Sequence, residues 1–135
     1  MKRPSVQLPD LLLAVALLAL LVPASALAGG DAAEGKKTYD VRCMVCHGHS
    51  GAGDGPAGVA LDPPPRNFAA GVFKFDADKD GIIGTDEDLA MVIKKGGSAF
   101  GGNPVMVPWL QLPDEEVVNV IAYIRTLATS ETTSE

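Results

Sequence analysis

The longest apolar run lies at the front of the chain, where Leu11 to Val22 follow one another without a polar residue. Lys2 and Arg3 precede it, and Pro23, Ala24, Ser25, Ala26 and Ala28 follow. A basic start, an apolar centre and small residues at a cut site are the anatomy of a secretory signal. The expected cleavage follows Ala26-Leu27-Ala28, which makes residues 1–28 the signal and starts the mature chain near Gly29. An uncleaved anchor is the alternative, although the dense apolar part is shorter than the roughly 20 residues that cross a bilayer.

Beyond it the apolar positions recur at helical spacing. A first helix is predicted from about Asp31, as N-cap, through Cys43, with Gly35 and Tyr39 four apart on one face. A second begins at Thr85, whose hydroxyl can cap it while Asp86, Glu87 and Asp88 suit its positive end, and stops at Gly96-Gly97. A third opens around Pro113 and carries Val117, Val120, Ile121, Ile124 and Leu127 on one face. From Gly48 to Gly84 and from Gly96 to Leu112 the chain is rich in Gly and Pro, which disfavours regular structure. Loops this long suit a compact domain only when they wrap around something. Residues 29–129 therefore read as one small domain with three helical stretches, and 130–135, without an apolar anchor, as a flexible tail.

Charge and composition narrow the chemistry. With 11 Lys+Arg against 17 Asp+Glu and no basic block, nothing here would hold a nucleic-acid backbone. Once the signal is removed, no segment suits stable membrane insertion. The few aromatics and many Gly and Pro residues imply a thin core that some other body completes. Two Cys and two His leave few ligands for any cofactor.

All but one of those four residues fall in Cys43-Met44-Val45-Cys46-His47, the C-x-x-C-H attachment signature of c-type haem. Thiols three residues apart lie within one helical turn and can reach two vinyl groups of one porphyrin, and the next residue presents its imidazole to iron. A redox dithiol would open a helix in a strand-helix unit, whereas this pair closes one. Zinc would need His47 and His49 beside both thiols, and adjacent Cys46 and His47 fit one tetrahedron poorly. With His47 proximal, Met44 and His49 stand too near it in sequence to reach the opposite face of the porphyrin, and Met91 reads as core filler on the second helix. Met106, in an irregular Gly- and Pro-rich loop, is the expected distal ligand. Arg66 and Trp109 are candidates for haem propionate contacts, with a solvated charge and a core aromatic as the plainer alternatives.

The chain resembles the class I cytochromes c over nearly its whole mature length. The residues concerned are Gly35 and Tyr39, Cys43 to Gly48, Gly53-Asp54-Gly55-Pro56, Pro65-Arg66-Asn67-Phe68, Thr85 to Leu89, Met106 with Pro108-Trp109, and Ile121 to Arg125. The resemblance implies an all-α fold, three or more helices with long loops wrapping one covalently attached haem, whose first and last helices cross near Gly35, Tyr39 and Tyr123. It also implies that the segment around Pro56 supplies a backbone carbonyl to the His47 imidazole. The family's usual Met-Pro step reads Met106-Val107-Pro108 here, one residue longer.

A second pattern, Asp76 to Glu87, matches the twelve-residue calcium loop. Asp76, Asp78 and Asp80 take its first carboxylate positions, Gly81 the turn, Ile82 the carbonyl position and Glu87 the closing one. No entering helix precedes it, and Thr85 to Asp88 are already explained by capping, so a solvated acidic turn is the plainer reading.

The resulting expectation is a periplasmic or otherwise exported carrier of single electrons rather than an enzyme, with one covalent haem c. Its acidic surface suits redox partners with basic docking patches. The alternatives are a haem subunit of a larger oxidoreductase and a sensor cytochrome modulated by a gas or by calcium.

Overall fold

A computed structural model describes residues 29–130 of the protein. The signal expected over 1–28 and the last residues of the expected tail, 131–135, lie outside the described residues. Helix α1 spans Ala32–Arg42, α2 is a single turn at Met44–His47, α3 spans Asp86–Lys95 and α4 spans Asp114–Ser130. A 3-10 turn, Gly97–Phe100, follows α3, and there is no strand among the described residues.

Local chemistry sets the helix ends. Asp31 accepts the Ala33 and Glu34 amides at 2.8 and 3.2 Å, a cap of the kind that stabilises a helix by about 1 kcal/mol. Thr85 and Asp88 bond reciprocally, each side chain accepting the other's amide, at 3.1 and 2.9 Å. Gly96 ends α3 at a positive φ of 82°. The Pro113 carbonyl accepts the Val117 amide at 3.0 Å. Pro113 thus stands at the cap of α4, where its missing N–H leaves no donor unpaired. Lys94 donates to the Leu112 carbonyl and pairs with Asp114 at 2.7 Å, which ties the end of α3 to the start of α4.

Helices α1 and α4 form the main contact, and they meet at Gly35, where the absent side chain lets the Asn119 carbonyl of α4 lie against α1. One turn later Tyr39 is fully buried, its ring edge-on to Tyr123 at 5.0 Å. The expected crossing at Gly35, Tyr39 and Tyr123 is therefore present. The predicted apolar face of α4 is buried in full: Val117, Val120, Ile121, Ile124 and Leu127 pack with Tyr39, Phe68, Leu89 and Leu112. The chain from Gly48 to Thr85 has no helix and closes over the front of this core through Phe68 and Phe73.

Candidate functional site

The C-x-x-C-H pentapeptide straddles a break between two helices. Cys43 caps the end of α1, its amide bonded to the Tyr39 carbonyl at 2.8 Å, and its own carbonyl accepts the Cys46 and His47 amides that begin α2. One turn thus fixes Cys43, Cys46 and His47 relative to one another. A helix this short leaves its carbonyls without internal partners. The returning chain supplies them: Ala57, Gly55 and Gly53 donate to the carbonyls of Val45, Cys46 and His47 at 2.9, 3.1 and 2.8 Å. Gly48 makes the turn between the two, at φ 84°, and a Cβ there would stand 1.9 Å from Asp54 Oδ1. The Tyr39 hydroxyl donates to the Gly48 carbonyl at 2.8 Å, which locks the turn to the α1/α4 crossing.

His47 is 8 % exposed, and its Nδ1 lies 3.0 Å from the Arg66 carbonyl. A carbonyl only accepts, so Nδ1 carries the hydrogen and Nε2 keeps the lone pair that a metal requires. Burial holds the imidazole below its ordinary pKa, and the nearby Arg66 charge works in the same direction against the carbonyl bond. The neutral, ligating form is therefore favoured. The expected carbonyl from the segment around Pro56 is not the one used. Pro56 is exposed in the turn that covers α2, where its missing N–H falls between the donating amides of Gly55 and Ala57. It is the next strip of the loop, at Arg66, that passes the imidazole.

Behind these residues opens a cavity of about 350 Å³ with a predominantly apolar lining, within the range of about 300–1,000 Å³ usual for small-molecule and cofactor sites. Cys43, Cys46, His47 and Met106 all line it. So do Phe68, Leu89, Leu112, Val120 and Ile124, which also belong to the core. The core therefore has an open wall, which answers the thin interior read from composition. Both thiols are free, and burial pushes that of Cys43 up to about 11. Two free thiols, an imidazole with a presented lone pair and a thioether around one apolar space are a donor set that fits a haem held by two thioether links.

Among the described methionines Met106 alone lines this cavity. Its loop is held by backbone bonds: Gly97 donates to Met106 at 2.9 Å, Met106 to Asn103 at 3.1 Å, and Trp109 to the Ile93 carbonyl of α3 at 3.1 Å. The extra residue between Met106 and Pro108 is thereby absorbed without turning Met106 away. Arg66 and Trp109 both line the cavity as well, and Arg42 covers the Trp109 ring at 5.2 Å.

The acidic ladder is organised differently from a calcium loop. Asp76, Asp78 and Asp80 do come together, with side-chain oxygens within 4.8 Å. Glu87 is exposed on the first turn of α3 and outside that group, and the Ile82 side chain is exposed. The carboxylates accept the loop's own amides: Asp76 from Asp80 and Gly81, Asp78 from Asp80, and Asp80 from Ile82. The closing group is Asp88, 1 % exposed, which accepts amides from Ala77, Asp78, Gly84 and Thr85. Burial alone would raise its carboxyl, and these donors with the Thr85 hydroxyl outweigh that and hold it below the usual carboxylate range. From the sequence Asp88 is legible only as a helix-end charge. The signal for more was Thr85-Asp86-Glu87-Asp88 itself, a capping box that points the last carboxylate back at the loop.

An all-α domain that presents C-x-x-C-H to an apolar cavity is the architecture of a protein with covalently attached haem. The cytochrome c family model matches residues 32–128, and the chain belongs to that family. Membership implies a covalently bound haem c and indicates a role in electron transfer. A solved structure, titled the reducing HAO-like protein complex Kustc0457/Kustc0458 of Kuenenia stuttgartiensis, contains a similar chain, 31% identical with a TM-score of 0.62. The match covers 80% of this chain and 47% of that one, so the protein spans about half the length of its structural relative. A comparison with curated proteins found no match. No helix among the described residues is long and apolar enough to cross a membrane.

Proposed function

We propose that this chain is an exported monohaem cytochrome c that relays single electrons between redox proteins. The observation that carries the reading is the convergence of Cys43, Cys46, His47 and Met106 on one apolar cavity. When bound, the haem supplies a one-electron couple at an iron that changes charge by one unit. Cys43 and Cys46 hold it as thioethers. His47 offers Nε2, kept in that tautomer by the Arg66 carbonyl. Met106 offers its thioether from a loop that the backbone pins to α3, so neither ligand has to move when the charge changes. The apolar lining excludes water, and a His/Met pair raises the reduction potential. Arg66 and Trp109, on the cavity wall, are the proposed propionate contacts. The acidic excess suits donors and acceptors with basic docking surfaces, with association weakening as salt rises. The segment 1–28 supports export to the periplasm or its equivalent.

Replacement of Met106 by Ala tests the ligand set. It is expected to remove the sulfur-to-iron band of the oxidised protein, to lower the potential and to admit carbon monoxide to the reduced protein, which the wild type should exclude. An unchanged spectrum rejects Met106. A second reading is favoured by the structural relative, which is part of a complex: this chain is then the electron-relaying subunit of a larger oxidoreductase. Co-purification of a stoichiometric partner from the native source distinguishes that reading from a free carrier.

A further inference from the structure

We infer that Phe68 is a positioning residue for His47, fixing the plane of the imidazole and thereby its orientation toward the haem iron; the inference rests on the haem reading above. A bond from Nδ1 to the Arg66 carbonyl, at 3.0 Å, anchors one edge of the ring. It restrains rotation about Cβ–Cγ only within the tolerance of one hydrogen bond, and the terminal torsion of histidine is intrinsically broad. The second constraint is the Phe68 ring, which lies against the imidazole face with centroids 4.4 Å apart and planes within 13°. Both side chains are buried, so neither solvent nor another rotamer competes readily.

Phe68 is itself held on several sides. Its amide donates to the Gly51 carbonyl at 2.6 Å. Its ring meets Tyr39 edge-on at 6.4 Å and stacks with Phe73 at 6.3 Å. Arg66 and Phe68 stand two residues apart, so one strip of loop delivers both the acceptor and the flat face. Tyr39 connects that strip to the α1/α4 crossing. A residue that only filled the core would need bulk; the near-parallel ring supplies direction as well, in the offset geometry that aromatic faces prefer.

The haem methyl resonances of the oxidised holoprotein read the imidazole plane by proton NMR, and nuclear Overhauser effects report whether the two rings touch. Phe68→Leu keeps apolar volume and removes the flat face. It is expected to reorder the methyl resonances while the visible spectrum stays that of a six-coordinate protein, and Phe68→Tyr is expected to restore the wild-type order. An unmoved methyl pattern in Phe68→Leu overturns the inference. If that variant yields no haem protein, the wild type decides: ring-to-ring Overhauser effects between His47 and Phe68 support the role, and their absence overturns it. A colourless wild-type product would bring down the haem reading and this inference together, whereas a coloured protein with an unmoved pattern removes only the role of Phe68.

Discussion

Substitution of Gly35 by Ala tests the contact on which the site is built. In an exposed helix interior the change from Gly to Ala is favourable by about 1 kcal/mol, because Ala restricts the unfolded backbone and satisfies helix preference. At position 35 a Cβ would stand 1.8 Å from the Asn119 carbonyl oxygen and 2.8 Å from the Val120 amide nitrogen. Real contacts of this kind begin near 3.0 Å, so α1 and α4 must part by more than an ångström. The obstructing atoms are helix backbone and have no rotamer to change. Overpacking commonly costs about 1–3 kcal/mol, and an overlap of backbone against Cβ belongs at the upper end, which leaves a net loss of about 2 kcal/mol after the helix gain. For a domain of this size that lowers the midpoint of thermal unfolding by about 8–16 °C. The assay is far-UV circular dichroism on the holoprotein, with Ala33→Gly on the exposed face of α1 as the reference. That reference should lose about 1 kcal/mol, since the preference there runs the ordinary way. The parting should also draw Tyr39 from the Gly48 carbonyl and loosen the turn after His47. A Gly35→Ala protein as stable as the wild type, or more so, would refute the crossing.

Two further outcomes concern the acidic loop. Because the Asp88 carboxyl is held below its unfolded value by the donors around it, its contribution is complete above the unfolded pKa, near 4, and is lost as pH falls through the lower folded value. Asp88→Asn should therefore unfold several degrees below the wild type at neutral pH, with the gap closing in acid; a gap that persists unchanged into acid rejects the carboxylate as the closing group. Because Asp88 and the loop's own amides already hold residues 76–85 together, exhaustive chelation of divalent cations should leave the unfolding midpoint of the holoprotein unchanged. A fall that added calcium reverses, and that Asp78→Asn and Asp80→Asn abolish, would restore the calcium loop.

What could be read from the sequence follows the range of the interaction concerned. The caps at Asp31 and Thr85 and the stop at Gly96 depend on neighbours within a turn, and each was legible as a local pattern. The apolar face of α4 was legible because periodicity alone decides which side is buried. The C-x-x-C-H pentapeptide was legible because its chemistry is set by spacing within one turn. The carbonyl that meets His47 was not, since Pro56 and Arg66 lie on the same irregular strand of chain and only the path of that strand selects between them. The turn Gly97–Phe100 is not legible, because four residues between glycines carry no period. Asp88 looked like its neighbours Asp86 and Glu87, and only the fold turns it inward.

The same contrast bears on how the interior is completed. Phe68, Leu89, Leu112, Val120 and Ile124 belong to the packed core and also line the cavity, so whatever enters that space meets the core directly. In a small domain a single core supplies only a few kcal/mol, roughly 3–5, so contacts made across that wall add substantially to the whole. Phe68 joins the two roles most directly, since its ring closes the core on one side and lies against His47 on the other.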